Sequence, residues 1–376
     1  MNPVLSDIPP SLIRVLNAKK RPGDIDLGLG EPVLRPDAAP FEAAMAWVRE
    51  HGCPYTANAG LGELREAIAR HYRYPGLEAG GNVCVTVGSQ EALYLAVKAL
   101  LDPAADEVLI VTPAYPAYAK ICQMEGVAHR SVSLDPAEGF RPDAERVLSG
   151  VGPATRLVLL ASPANPTGRV WEAAELAQLA AGLAKLPQRV YVLVDEVYRE
   201  LIYTDAPYAS LAQFHPHTLV ANSLSKSHAL TGLRLGWLMA PEALMPGIVK
   251  VHQFVNTAAS TFSQQVALAV FAEPDSLQAH RAIYRRKRER LIAELKGHGL
   301  DFVPPEGGFY CMLPLSAPWG TDSVATAHRV LDAAHVVTVP GAAFEAEGWL
   351  RLSWVTDEEA LAEGIRRLAT FLKETP

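Results

Sequence analysis

Val190-Tyr191-Val192-Leu193-Val194-Asp195-Glu196 is an apolar run that stops on two carboxylates. β-Branched and aromatic residues favour extended backbone, and a run apolar at every position belongs to a strand covered on both faces. Working outward, residues 82–87, 107–111, 156–161, 219–222 and 235–239 read as further short strands. Between them, 91–101 places Leu93, Ala96, Val97 and Leu100 at helical spacing, and 172–184 does the same with Leu176, Leu179 and Leu183. Strands alternating with helices predict an α/β fold built on a mostly parallel sheet covered by helices. From residue 278 the character changes: a long charged helix leads to 307–313 and 350–354, where apolar and polar residues alternate, and 357–372 is an amphipathic helix. This predicts a smaller α+β domain completed by the N-terminal segment. The expected boundaries are 30–270 for the large domain, and 1–29 with 271–376 for the small one.

A chain of 376 residues, 49% hydrophobic and 20% charged, carries a large buried core, and its net charge of -7 speaks against a nucleic-acid surface. The basic run Arg285-Arg286-Lys287-Arg288 with Arg290 reads as a solvated helix face rather than a phosphate patch. Four cysteines without CxxC spacing offer neither a metal site nor a disulfide framework. No secretory signal is legible, and no apolar stretch approaches the roughly 18 residues of a membrane span. The expectation is a cytoplasmic protein with no nucleic-acid, membrane or metal partner.

Ligands of open parallel sheets bind beyond the carboxyl ends of the strands, and four features fall there or face that edge. Gly88-Ser89-Gln90-Glu91 joins a strand to a helix; Ser89 suits a helix cap, and the free first-turn N–H groups suit a phosphate. Asp195 ends its apolar strand and needs a cationic partner to stay charged: a protonated pyridine nitrogen, an arginine or a metal. Asn222-Ser223-Leu224-Ser225-Lys226, followed by Thr231-Gly232-Leu233-Arg234-Leu235-Gly236-Trp237, sets a lysine among hydroxyls. A lysine in a cleft suits imine formation, while Ser223, Ser225 and Arg234 suit a phosphate dianion. In Leu350-Arg351-Leu352-Ser353-Trp354, period-two alternation puts Arg351 and Ser353 on one face, where a fixed guanidinium suits a carboxylate.

Taken in order, these features, with Asn165-Pro166-Thr167-Gly168 and Asp195-Glu196-Val197-Tyr198, resemble the class I/II aminotransferases of pyridoxal phosphate (PLP) fold type I, over about residues 28–372. The resemblance implies a seven-stranded, mostly parallel sheet, and a Schiff base between PLP and Lys226, which then moves the substrate proton. It implies that Asp195 pairs with the protonated ring nitrogen, and that Tyr198 and Asn165 bind the phenolic oxygen. Ser89, Gln90, Ser223, Ser225 and Arg234 would hold the phosphate, and Tyr115 in Thr112-Pro113-Ala114-Tyr115-Pro116 would stack on the ring. Arg351, Asn165 and the backbone of Gly30 would bind the substrate carboxylate. Tyr55 matches a tyrosine that reaches the neighbouring subunit's phosphate, which implies a homodimer with shared sites. In Glu31-Pro32-Val33-Leu34 the aspartate usual after the glycine turn is missing, and no residue stands out as the reader of a second substrate carboxylate.

The expected reaction is ping-pong transfer of an amino group from an L-amino acid to a 2-oxo acid. A PLP-dependent carbon–sulfur β-lyase uses the same residue types and is the alternative. A non-catalytic PLP-binding regulator lacks support, since no basic DNA-binding segment precedes Gly28.

Overall fold

The structure is a computed structural model that describes residues 3–6, 8–273, 275–317, 319 and 322–373. The ends of the expected small domain therefore fall partly outside the described residues. In chain order its strands are β1 (Ile25–Asp26), β2 (Val83–Thr86), β3 (Glu107–Thr112), β4 (Ala128–Ser133), β5 (Thr155–Ala161), β6 (Tyr191–Asp195), β7 (Thr218–Ser223), β8 (Gly236–Met239), β9 (Tyr310–Pro314), β10 (Val336–Val337), β11 (Val339–Pro340) and β12 (Trp349–Ser353). β2 to β8 form one seven-stranded sheet in the order β2-β8-β7-β6-β5-β3-β4. β8 runs antiparallel to both its neighbours, and the other six strands are parallel.

The expected cover on both faces is present. Leu157, Leu159, Leu193 and Leu219 share one core with Leu93, Ala96, Tyr118 and Ile248. Their sequence neighbours Val158, Leu160, Val192 and Val194 share another with Val147, Leu176, Leu179 and Leu183. Alternate residues of one strand thus feed opposite layers, which is why the middle of each of these strands is an unbroken apolar run. Each such side chain contributes about 1.5–3 kcal/mol on burial.

β9, β11 and β12 form a separate antiparallel sheet in which Arg351 faces Met312 across the register. Leu350, Leu352 and Trp354 enter a further core with Leu27, Tyr284, Leu291, Leu361, Ile365 and Leu368. Arg351 and Ser353 point the other way, as the alternation predicts: both bond the Gly28–Leu29 backbone. The basic run on the helix Asp275–Gly297 corrects the sequence reading in part. Arg286 and Arg290 are solvated, but Lys287 is buried and donates to the carbonyls of Val355 and Thr356, while Arg288 donates to that of Pro305. Lys287 thus fastens the long helix to the segment before the last helix, Glu358–Lys373, and Arg288 fastens it to the segment before β9.

Candidate active site

The strand ends converge as the parallel topology requires. β6 ends on Asp195, whose Oδ1 takes the Val197 N–H at 3.3 Å and turns the chain out of the sheet. The adjacent β7 delivers Ser223, which caps the short helix Leu224–Ser227 by accepting the Ser225 N–H. That turn places the half-buried Lys226, whose Nζ donates to the Gly30 carbonyl at 2.9 Å. Tyr118 donates to Asp195 Oδ2 at 2.8 Å.

Burial pushes the Asp195 carboxyl up to about 6, against the opposing pull of the Tyr118 hydroxyl, the Val197 amide and the Lys226 charge. A carboxyl raised on folding binds a proton in the folded chain that the unfolded chain has released, so stability falls as pH rises between about 4 and 6. For this group the loss is about 3 kcal/mol. We expect thermal melts of the cofactor-free protein to show Asp195→Asn gaining on wild type across that window. Parallel melting curves at every pH would contradict this.

Next to β2, the helix Ser89–Leu100 opens after Gly88, which sits at φ +76. Ser89 is the first helical residue and makes no capping bond, contrary to the expected cap; the turn at Gly88 takes the cap position instead. Arg234, itself left-handed at φ +48, lies against Gly88: a Cβ built there would meet its Nη2 at 2.6 Å. Likewise a Cβ on Gly236 would lie 2.5 Å from the Ser89 nitrogen and 2.8 Å from the Asn222 oxygen. Both of those are backbone atoms and cannot swing aside. Gly236→Ala should therefore cost about 1–3 kcal/mol, read as a lowered denaturant midpoint.

From the second sheet comes Arg351, 2% exposed. It donates to Asn165 Oδ1 at 3.0 Å and to the Gly28 carbonyl, and its Nε has no partner among the described residues. Its guanidinium lies 4.1 Å from the Tyr310 ring centroid and 4.8 Å from that of Phe344. Tyr198 is buried and donates to the Tyr310 hydroxyl at 3.1 Å. Burial, then the neighbouring Tyr310, holds the Tyr198 phenol well above its usual range, so it stays protonated. Gly30 leaves room for that hydroxyl: a Cβ there would overlap Tyr310 Oη at 1.6 Å. Tyr115 donates to Gln90 Oε1 at 3.3 Å and meets Tyr118 edge to face.

Contacts link most of the expected residues: Lys226 bonds Gly30, which abuts Tyr310, and Tyr310 meets both Tyr198 and Arg351, which bonds Asn165. Tyr118 joins Asp195 to Tyr115 and so to Gln90, Arg234 lies against Gly88 beside Ser89, and Ser223 and Ser225 sit on the turn that carries Lys226. Tyr55 stands apart from them, 87% exposed. Sequence reasoning missed Tyr118 and Tyr310. The spacing of Tyr115 and Tyr118, three residues apart at the start of the helix Ala117–Glu125, was an available signal for the first. Among the described residues no group of His, Cys, Asp or Glu could hold a metal ion.

The chain belongs to the class I and II aminotransferases, a family it matches over residues 26–368. It is an aminotransferase, an enzyme that passes an amino group from an amino acid to a 2-oxo acid, and members of its family depend on PLP. It is 33% identical to an aspartate aminotransferase of Pyrococcus horikoshii, over 95% of this chain and 92% of that one. It is 35% identical to a probable N-acetyl-LL-diaminopimelate aminotransferase of Bacillus subtilis, over 93% and 89%. Among solved structures, an aspartate aminotransferase from Thermus thermophilus with maleate superposes with a TM-score of 0.92 at 33% identity, covering 98% of this chain and 99% of that one. The fold is that of the PLP fold type I aminotransferases.

Proposed function

We propose that the chain carries pyridoxal 5'-phosphate on Lys226 and uses it to move the amino group of an L-amino acid to a 2-oxo acid in two half-reactions. The observation that carries this reading is the placement of Lys226, three residues past the end of β7, near enough to the buried Asp195 at the end of the adjacent β6 for its charge to act on that carboxyl. The residues fit the cofactor. The missing side chains at Gly88 and Gly236 let the Arg234 guanidinium and the Asn222 backbone close directly onto the turn before Ser89. Around it, the first amides of the helix Ser89–Leu100, the Ser89, Ser223 and Ser225 hydroxyls, Gln90 and the Arg234 guanidinium suit a phosphate dianion. Burial penalises a lone Asp195 carboxylate, and a protonated ring nitrogen relieves that penalty. Tyr115 offers an aromatic face, and Tyr198 and Asn165 offer donors for a phenolic oxygen.

When bound, the cofactor supplies an electron sink for the charge that develops at the substrate α-carbon. Lys226 Nζ takes the α-proton and gives it back, and Asp195 keeps the ring nitrogen protonated. Arg351, Asn165 and the Gly30 backbone orient the α-carboxylate, with Tyr310 and Phe344 flanking the guanidinium. The relatives bear names with different substrates, aspartate, prephenate and N-acetyl-LL-diaminopimelate. What such substrates share is a carboxylate next to the carbon that carries the amino or oxo group, and that is the part Lys226 and Arg351 address.

The active unit we infer is a homodimer. Tyr55, Phe254 and Val255 are exposed, the last two at the end of the helix Met245–Asn256, and Asn58, from the Tyr55 loop, donates to the Thr257 carbonyl just past that helix. Such an apolar patch fits a partner subunit, with Tyr55 reaching the partner's site. The division at 30–270 against 1–29 and 271–376, and a cytoplasmic location, belong to the same reading; no helix among the described residues is long and apolar enough to cross a membrane.

The test is a panel of L-amino acids, aspartate first, added to the PLP-loaded protein. Loss of the visible cofactor band, recovered on adding 2-oxoglutarate with formation of glutamate, supports transamination. Release of ammonia and pyruvate instead identifies a β-lyase.

A further inference from the structure

Glu91 is the third residue of the helix Ser89–Leu100 and only 8% exposed. Its two oxygens are fully engaged. Oε2 accepts the Val87 N–H at 2.5 Å, and Oε1 accepts from His252 Nδ1 at 2.8 Å and Asn256 Nδ2 at 2.6 Å. A carboxylate only accepts, so His252 carries its proton on Nδ1. His252 is fully buried, and its Nε2 has no partner among the described residues. His252 and Asn256 stand four residues apart on one face of the helix Met245–Asn256. The turn they brace is also pinned from the other side: the Thr86 hydroxyl donates to the Gly88 carbonyl at 2.8 Å, and the Gly88 N–H donates to the Thr86 carbonyl.

We propose that Glu91, His252 and Asn256 form a strut that positions the phosphate-binding turn, so that Glu91 is a positioning residue for the cofactor phosphate. The inference rests on the reading that this turn takes the phosphate. Holding Val87 and Gly88 fixes the direction of the Ser89 and Gln90 amides, which the helix leaves without internal partners. The arrangement sets two effects against each other. A carboxylate within one helical turn of a phosphate dianion repels it, whereas a preorganised turn binds it better. His252 and Asn256 donate to the carboxylate and disperse its charge, which leaves the bracing effect dominant. The sign of the Glu91→Gln effect therefore separates positioning from simple electrostatics. The amide removes the repulsion but cannot accept all three hydrogen bonds on one carbonyl oxygen.

The experiment measures the binding of PLP, and of pyridoxal without its phosphate, to the cofactor-free protein by absorbance and fluorescence titration. Under the proposal, Glu91→Gln and His252→Leu weaken PLP binding by about tenfold to 100-fold, the size of one lost charge-assisted hydrogen bond, and leave pyridoxal binding within about twofold. Asn256→Ala removes an exposed residue and keeps the test open if the buried substitutions fail to fold; it should weaken PLP binding by about threefold or more. Equal weakening of both ligands would mark a general packing role and overturn the proposal, as would unchanged or tighter PLP binding. A wild-type chain that binds neither compound overturns the cofactor reading itself, and the strut with it.

Discussion

Lys226→Ala lowers turnover by about 10⁴-fold or more and leaves a folded chain that still takes up PLP without its visible band. Under the proposed mechanism two functions meet in one amine: covalent attachment, and transfer of the proton at the substrate α-carbon. Positioned proton transfer alone is worth about 10²–10⁴-fold. The structural cost is small, because Lys226 is only half-buried and its side-chain hydrogen bond among the described residues goes to the carbonyl of the likewise half-buried Gly30. The packing of Arg234 and the Ser89 turn at Gly88 and Gly236 does not involve the lysine. Turnover assays beside melting curves and PLP titration check this. A variant that keeps even a tenth of wild-type turnover would remove Lys226 from the chemistry.

Arg351→Lys raises KM for the amino acid by about 10–100-fold and changes kcat far less. A lysine retains the charge but loses the planar fork that grips both oxygens of a carboxylate. Here the fork is held in advance by Asn165, the Gly28 carbonyl and the Tyr310 and Phe344 rings, so little ordering remains for the substrate to impose. Arg351→Leu also strands Asn165 Oδ1 and the Gly28 carbonyl without their donor, and should lose about 10³-fold or more in kcat/KM. Steady-state kinetics, with PLP occupancy measured separately, distinguish these outcomes from loss of cofactor. A fall in kcat alone would place Arg351 elsewhere in the reaction.

The layered fold was legible because the middle of a strand buried on both faces is apolar at successive positions, as in Leu157 to Leu160, Tyr191 to Val194 and Leu219 to Ala221. β4 was not legible. It lies at the sheet edge, and Ala128-His129-Arg130-Ser131-Val132-Ser133 is polar and largely exposed, so hydrophobic patterning is silent there. The helices Met245–Asn256 and Thr261–Ala272 also went unread, although each buries several residues. Much of the second one's buried surface is polar, through Ser263, Gln264 and Gln265, which breaks the apolar stripe a helix reading relies on. At the site, Asp195 and Lys226 could be read because one ends an apolar strand and the other comes three residues after the next. Tyr310 could not: it lies 84 positions beyond Lys226 in a different sheet, and only the tertiary fold brings its hydroxyl against Gly30 and Tyr198. The Glu91 strut is hidden for the same reason, since nothing in the local pattern links position 91 to 252.

The most direct measurement is to load the protein with PLP, reduce it with borohydride, digest it and locate the pyridoxyl group by mass spectrometry. The account predicts a single modified peptide with the added mass on Lys226, absent from the Lys226→Ala variant. A pyridoxyl group on another lysine, or none after reduction of a fully loaded protein, would contradict it.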